Sequence, residues 1–274
     1  YVFFGKKSGY KSSFKLKDID GSNGFRFGGI ATKDYTGWSV SSAGDIDGDG
    51  FDDVLVGSPY QDADGNTNSG AAFAFYGKSS GYLEAVNLGT LGDAGVTVEG
   101  FPAYYYTGQS VNTAGDVNGD GKDDFLIGSY TGDAATDSTK SGITYLVFGA
   151  SRSELGLTVD PADLDGTKGF RLNGENTEDY SAWSVNTAGD VNGDGYDDIV
   201  IGKPEHNNSH LPTTYVYFGK SGGFTAQVEL DSLDGRNGFA LDGTPADHHG
   251  WSVSTAGDVN GDGYDDILIG TNID

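Results

Sequence analysis

Short apolar runs, separated by turns rich in Gly and Asp, organise the 274 residues of this chain. Four of these runs are unbroken: "VLVG" (54–57), "FLIG" (125–128), "IVIG" (199–202) and "ILIG" (267–270). A continuous apolar run of this length between turn signals predicts a strand that is buried on both faces. Since no segment of useful length has the helical period, the pattern predicts an all-β protein.

Each buried run ends a longer motif that occurs four times. The motif "GDIDGDGFDDVLVG" (44–57) returns as "GDVNGDGKDDFLIG" (115–128), "GDVNGDGYDDIVIG" (189–202) and "GDVNGDGYDDILIG" (257–270). Self-similarity at a nearly constant period is the signature of a repeat architecture, in which every copy forms one supersecondary unit.

Four strands are predicted in each repeat. The first has the pattern "GWSVSSAG", the second is the buried run, and the third has the pattern "AFAFYG" or "TYLVFG". The fourth alternates, as in "FRLNG" and "FALDG", which predicts a half-exposed outer strand. Antiparallel units of four strands predict the blades of a β-propeller.

The ends of the chain complement each other in this scheme. Residues 1–28 supply a third and a fourth strand, and residues 250–274 supply a first and a second. We therefore expect one domain with this composite blade and three whole blades, at about 37–100, 108–174 and 182–243. The ring is either four-bladed, closed by the terminal strands so that no sheet edge is exposed, or part of a larger propeller.

The Asp-rich motif has the oxygen spacing of a calcium loop. Counted from Asp45, carboxylates fall at positions 1, 3, 5 and 9, and position 7 offers a main-chain carbonyl. Hard Ca²⁺ prefers such oxygen cages, and the intervening glycines let the backbone wrap around the ion. The four predicted cages are Asp45, Asp47, Asp49, Phe51 (carbonyl) and Asp53; Asp116, Asn118, Asp120, Lys122 (carbonyl) and Asp124; Asp190, Asn192, Asp194, Tyr196 (carbonyl) and Asp198; Asp258, Asn260, Asp262, Tyr264 (carbonyl) and Asp266.

Other interpretations of these loops are weaker. Plain Asp-Gly turns with solvated carboxylates would not need oxygen ligands at the same positions in four copies. Mg²⁺ is less suitable than Ca²⁺ because it seldom uses a cage made only of protein atoms. An EF-hand needs a Glu at position 12, where this chain has Val56 or Ile. We expect cage one, with four carboxylates, to hold Ca²⁺ at least as tightly as the others. The position-8 carboxylates are expected to face solvent or turns: Asp52, Asp123, Asp197 and Asp265.

Composition excludes several classes of partner. The formal net charge of −25, from 41 acidic and 16 basic residues, argues against nucleic acid and anionic membrane surfaces. The chain has no apolar run of about 18 residues, so no membrane insertion is expected. With no cysteine, disulfides, thiolate metal sites and a cysteine nucleophile are also excluded.

The unit "GWSVSSAGDIDGDGFDDVLVGSP" followed by "AAFAFYG" resembles the FG-GAP repeat of the integrin α-subunit propeller, and especially the integrin-α-like surface proteins of bacteria. The resemblance covers nearly the whole chain. It implies a β-propeller with Ca²⁺ in the loop between first and second strands, and adhesion or ligand binding rather than catalysis. Integrin propellers have seven blades, whereas four repeats are visible here.

A ligand is expected on the face opposite the Asp loops, where the connecting segments are rich in aromatic residues. Three tryptophans occupy one repeat position, and with two neighbours they form the candidate ligand site: Trp38, Trp183, Trp251, Tyr105 and His249. Such rings can stack on sugars or anchor a protein, although packing between blades is the more common use of a tryptophan.

These observations favour an extracellular or cell-surface adhesion module that is stabilised by four Ca²⁺ and is not an enzyme. Its expected partner is an extracellular protein or a glycan, with a neighbouring propeller or a second copy as further candidates. The alternatives are a lectin-like propeller and a non-catalytic accessory domain of a secreted enzyme.

Overall fold

The computed structural model describes residues 1–132, 140–204, 210–244 and 248–272, with the side chain of Asp64 left out. The strands are β1 (Val2–Phe3), β2 (Gly24–Gly28), β3 (Val40–Gly44), β4 (Asp53–Ser58), β5 (Ala71–Phe75), β6 (Ala85–Asn87), β7 (Gly95–Val98), β8 (Ser110–Gly115), β9 (Asp124–Ser129), β10 (Ile143–Val147), β11 (Thr158–Val159), β12 (Gly169–Asn173), β13 (Ser184–Gly189), β14 (Asp198–Lys203), β15 (Thr213–Tyr217), β16 (Gln227–Glu229), β17 (Gly238–Asp242), β18 (His249–Gly257) and β19 (Asp266–Thr271). The α-helix α1 (Arg152–Leu155) has four residues, and the 3₁₀ turns are Leu16–Asp18, Ala63–Gly65, Leu88–Thr90, Gly92–Ala94, Pro161–Asp163 and Leu230–Ser232. Within the described residues no helix is long and apolar enough to cross a membrane.

Three sheets have the strand order that the repeats predict. Sheet one contains β3-β4-β5-β7, sheet two contains β8-β9-β10-β12, and sheet three contains β13-β14-β15-β17, with antiparallel neighbours throughout. Each Asp loop joins the first strand of its sheet to the second. The prediction of an all-β fold made of four-stranded antiparallel units, consistent with a propeller, is therefore confirmed.

A short fifth strand, which the sequence did not predict, extends two of these sheets. Strand β11 pairs in parallel with β7, and β16 pairs in parallel with β12, so each comes from the repeat that follows in the chain. The fourth strand is consequently not outermost in sheets one and two. Its half-exposed pattern appears in β17 of sheet three, where Leu241 is exposed while the equivalent Leu172 in β12 is fully buried.

The hydrophobic core lies between neighbouring sheets. The first strands of successive sheets pack on one another, β3 on β8, β8 on β13 and β13 on β18. Side chains alternate across each second strand, so Phe125 joins the core between sheets one and two, whereas Leu126 joins the core between sheets two and three. Both faces of the second strand are buried for this reason, as its unbroken apolar run predicts.

The strands at the two ends of the chain form separate sheets. Strand β2 pairs with β1 on one side and with β6 on the other, and β18 pairs with β19, but no strand ladder in the described residues joins these two sheets. Val40 in β3 is 65% exposed where its counterpart Val111 is 3% exposed, and Leu268 in β19 is 61% exposed. The ring closed by terminal strands is therefore not formed in this structure. A place in a larger propeller remains a prediction.

Candidate metal centres and the aromatic face

The first Asp of each loop organises the backbone that follows it. We call residues 45–53 loop one, 116–124 loop two, 190–198 loop three and 258–266 loop four. In loop two, Asp116 Oδ1 accepts N–H bonds from Gly119 and Asp120 at 2.7 and 3.0 Å, and its Oδ2 accepts the N–H of Gly121 at 2.8 Å. Loops three and four repeat this pattern from Asp190 and Asp258.

Loop one brings three of its predicted ligands together. Oxygen atoms of Asp45, Asp47 and Asp49 all lie within 4.8 Å of one another, an arrangement that can hold a divalent cation. Loops two, three and four have an Asn at the position of Asp47. The amide oxygen of this Asn accepts the N–H of the residue at position 5. The donor set in all four loops therefore consists of hard oxygen atoms and fits Ca²⁺.

The Asp at position 9 is buried in loops one to three, where it also serves the fold, whereas Asp266 of loop four is half-buried. Asp124 Oδ2 accepts the N–H of Val117 at 3.0 Å, and its Oδ1 accepts the N–H of Gly149 after β10 at 2.8 Å. Burial raises the pKa of Asp53 and Asp198 to about 7 and that of Asp124 well above its usual range, although these N–H donors oppose the shift. A cation in the loop would favour the charged form of these carboxyls.

The position-8 carboxylates of loops two, three and four link neighbouring repeats, which corrects the expectation that they face solvent or turns. Asp52 of loop one is exposed, as expected. Asp123 Oδ2 accepts the N–H of Asp45 at 2.8 Å, and the N–H of Asp123 donates to the carbonyl of Asp45 at 3.2 Å. The same reciprocal pair joins Asp197 to Asp116 and Asp265 to Asp190. Each loop is thus fastened to the next one along the chain.

A glycine makes this contact possible. Gly115, the residue before Asp116, has φ of 72°, and a Cβ there would overlap the carboxylate of Asp197. Gly44 and Gly189 have the same relation to Asp123 and Asp265. Only glycine combines a left-handed backbone with such a close approach.

The side chain at position 7 also covers the preceding loop. The stem of Lys122 lies over Gly48, while the rings of Tyr196 and Tyr264 lie over Gly119 and Gly193. Position 7 was predicted only as a carbonyl ligand, so the sequence analysis missed this packing role. A large side chain at position 7 in every copy was the available signal.

The aromatic residues lie at the other end of the strands from the Asp loops. Trp38 precedes β3 and Asp45 follows it, so the length of the strand separates the two features. Ring centroids 4.8 to 6.2 Å apart connect eight side chains into one continuous row, which we call the aromatic strip. Its members are Tyr35, Trp38, Tyr60, Tyr106, Tyr130, Tyr180, Trp183 and Trp251.

The strip contains three of the five predicted ligand residues. The rings of Trp183 and Trp251 are 4.8 Å apart, and Trp38 joins the row through Tyr60. Tyr105 instead packs against the core between sheets one and two, and His249 is buried with its Nε2 3.0 Å from the carbonyl oxygen of Leu241. Tyr60 and Tyr130, which follow the second strands, were missed.

Backbone strain accompanies the strip. Tyr35, Tyr106, Tyr180 and His248 occupy one repeat position, and their φ angles are 53°, 49°, 52° and 42°. A left-handed backbone at a bulky residue costs about 1–3 kcal/mol, and it persists where the surroundings or a function require it. Three of these four strained residues place their rings in the strip.

Comparison with known proteins agrees with this architecture. The FG-GAP repeat matches residues 36–75, 107–147, 182–219 and 249–272, which together are more than half of the chain. Integrin alpha pat-2 of Caenorhabditis elegans is 28% identical over 239 residues, 86% of this chain and 18% of that protein. Integrin alpha-4 of Xenopus laevis is 26% identical over 252 residues, 92% of this chain and 20% of that protein.

A second group of relatives carries the name of an enzyme. Phosphatidylinositol-glycan-specific phospholipase D of Homo sapiens is 30% identical over 172 residues, 61% of this chain and 18% of that protein. The chain thus spans about a fifth of the length of the curated relatives it matches. The four matched segments coincide with the four repeats of loop and strands described above. This chain belongs to the FG-GAP repeat family.

Proposed function

We propose that this chain is a calcium-stabilised extracellular module for adhesion or ligand binding, and that its ligand binds on the aromatic strip. The observation that carries the proposal is the strip itself, eight rings in contact at the strand ends opposite the Asp loops. Its similarity to integrin α subunits supports adhesion as the class of function.

Calcium would act on the scaffold. Bound Ca²⁺ supplies positive charge that offsets repulsion among the carboxylates of each loop, and the four cages named above would hold it through Asp, Asn and carbonyl oxygens. The chain's own carboxylates hold the loops in place. The position-8 carboxylate of the next repeat bonds the first Asp of loop one, and the position-9 carboxylate bonds the loop to the segment after its own third strand. A stable series of loops keeps the strip in place on the other face.

The exposed rings suit two kinds of ligand. Trp38, Trp251 and Tyr35 remain well exposed although they touch neighbouring rings. Aromatic faces of this kind anchor protein ligands, and they also stack on sugar rings. A protein ligand is the first candidate because the integrin relatives cover most of the chain.

Binding assays with one matched variant pair test the proposal. The chain is assayed on immobilised extracellular matrix proteins and on a glycan array, as the parent protein and as the variants Trp183→Ala and Tyr10→Ala. Tyr10 is an exposed ring outside the strip, so Tyr10→Ala is the control. We expect Trp183→Ala to weaken binding at least about tenfold, since removal of an aromatic hot-spot residue costs about 2 kcal/mol or more. Equal binding by both variants and the parent would refute the strip as the ligand site.

A lectin-like function is the second candidate. Tyr130, Trp183 and Trp251 form a compact aromatic group with centroid distances of 5.2 and 4.8 Å, the kind of surface on which a sugar ring can stack. Competition of the binding by free saccharides would favour the lectin, and adhesion that saccharides do not reduce would favour a protein ligand. The phospholipase D relatives support a third role, as a non-catalytic accessory domain of a secreted enzyme.

A further inference from the structure

Arg152 reaches from the second repeat into loop one of the first. The residue lies at the start of α1, in the connection between β10 and β12. Its Nε donates to Asp47 Oδ2 and its Nη2 to Asp49 Oδ2, and its guanidinium lies 4.5 Å from the ring centre of Tyr76. The side chain of Asp47 is only 1% exposed, so this ion pair is shielded from water on one side.

The helix holds the guanidinium in place. Ser151 caps α1, its N–H donating to Glu154 Oε2 at 3.1 Å in a capping box. Leu155 at the other end is buried in the core between sheets one and two. Arg152 therefore starts from an anchored turn and has only its own side chain to order.

The contact occurs at the one loop with an additional carboxylate. Position 3 is Asp47 in loop one and Asn118, Asn192 or Asn260 in the others. Lys220, in the equivalent connection of the third repeat, places its Nζ over the ring of Phe224 and forms no ion pair with any described residue. The fourth carboxylate and the arginine thus occur together.

We propose that Arg152 is a built-in cation that competes with Ca²⁺ for loop one and makes it the weakest of the four calcium sites. The inference rests on the calcium binding proposed above. Asp47 Oδ1 and Asp49 Oδ1 each accept a backbone N–H at 3.0 Å, and the guanidinium takes both Oδ2 atoms. An incoming ion must displace the guanidinium from these oxygens, which reverses the order of affinity that the number of carboxylates predicts.

A calcium titration that follows each loop separately tests the proposal. The amide resonances of Gly50, Gly121, Gly195 and Gly263 report one loop each, and the first three N–H groups lie 2.8 to 2.9 Å from the Oδ2 of their loop's first Asp. We expect Gly50 to titrate last in the parent protein. In Arg152→Gln the Ca²⁺ concentration at the midpoint of the Gly50 titration should fall about tenfold, which corresponds to about 1.4 kcal/mol of binding free energy. The midpoints of the other three glycines should not change. The control is Arg171→Gln, whose arginine bonds Gln227 on the same sheet and leaves all four unchanged.

Unfolding without calcium gives a second readout. In excess EDTA, Arg152→Gln should melt below Arg171→Gln, since loop one then has no cation, and saturating Ca²⁺ should remove this difference. Arg152→Lys keeps the positive charge but loses the planar guanidinium that bonds two carboxylates at once. Its Gly50 midpoint should therefore lie between those of the parent and Arg152→Gln. If all four glycines respond but Gly50 keeps its midpoint or moves to higher Ca²⁺ in Arg152→Gln, the inference is refuted and calcium binding stands. If no glycine responds, both fail.

Discussion

Loops one to three and loop four share a motif but differ in their surroundings. The next repeat covers each of the first three through its position-7 and position-8 side chains, and Ile46 and Val117 at position 2 are fully buried there. Loop four has no following repeat in the described chain, and its Val259 is 73% exposed. An Asp loop of this chain is therefore only part of a structural unit, which the following repeat completes. Substitutions at equivalent positions of covered and uncovered loops therefore measure how much these surroundings contribute to stability.

The largest difference is expected at position 9. Asp124→Ala leaves two buried N–H groups, of Val117 and Gly149, without an acceptor, whereas Asp266→Ala affects one N–H, that of the exposed Val259. We expect losses of about 3–5 and about 1 kcal/mol in the free energy of unfolding. Urea denaturation in EDTA measures both without the metal contribution. Similar losses would show that the buried contact with the segment after the third strand adds nothing to the loop.

A smaller difference is expected at the glycine before the loop. Gly115→Ala and Gly257→Ala both place a Cβ on a left-handed backbone, with φ of 72° and 65°, at a shared cost of about 1–2 kcal/mol. Only the Cβ at position 115 meets Asp197, while a Cβ at position 257 meets no atom of the described chain within 4 Å. Overpacking should add about 1–3 kcal/mol to Gly115→Ala alone. Equal melting points for the two variants would contradict the close approach.

The smallest difference concerns the position-8 carboxylate. Asp123→Ala removes the acceptor of the Asp45 N–H and should cost about 1.5 kcal/mol, because a bond to a charged group is stronger than a neutral one. Asp52 is exposed, and no described N–H donates to its side chain, so Asp52→Ala should change stability by less than about 0.5 kcal/mol. Chemical denaturation of the two variants side by side checks this order, and a larger loss from Asp52→Ala would reverse our account.

Much of the fold could be predicted from the sequence because the four repeats of the chain can be compared with one another. Four copies fixed the strand order and the phase of the Asp loops, and the unbroken run around Leu126 correctly indicated burial on both faces. Trp38, Trp183 and Trp251 were expected at the strand ends away from the Asp loops because they lie before or near the start of first strands. These features depend on local pattern and are repeated.

The remaining features arise from contacts between distant residues. Asp123 and Asp45 are 78 positions apart, and Arg152 and Asp47 are 105 apart, so the pattern within a single repeat predicts neither contact. The fifth strands are too short to show a period. A signal did exist for the position-8 contact, since its Asp and the glycine before the loop are identical in all four repeats. A solvent-facing carboxylate would not need that constancy.

Thermal unfolding in Ca²⁺ and in EDTA tests the central claim, that the loops hold calcium in the folded protein. Ligands that bind only the folded state stabilise it, by about 2.7 kcal/mol for each site when free Ca²⁺ is 100 times its Kd. We predict that the melting temperature rises with Ca²⁺ concentration and that the same concentration of Mg²⁺ has a smaller effect. A melting temperature that is identical in EDTA and in millimolar Ca²⁺ would contradict the claim.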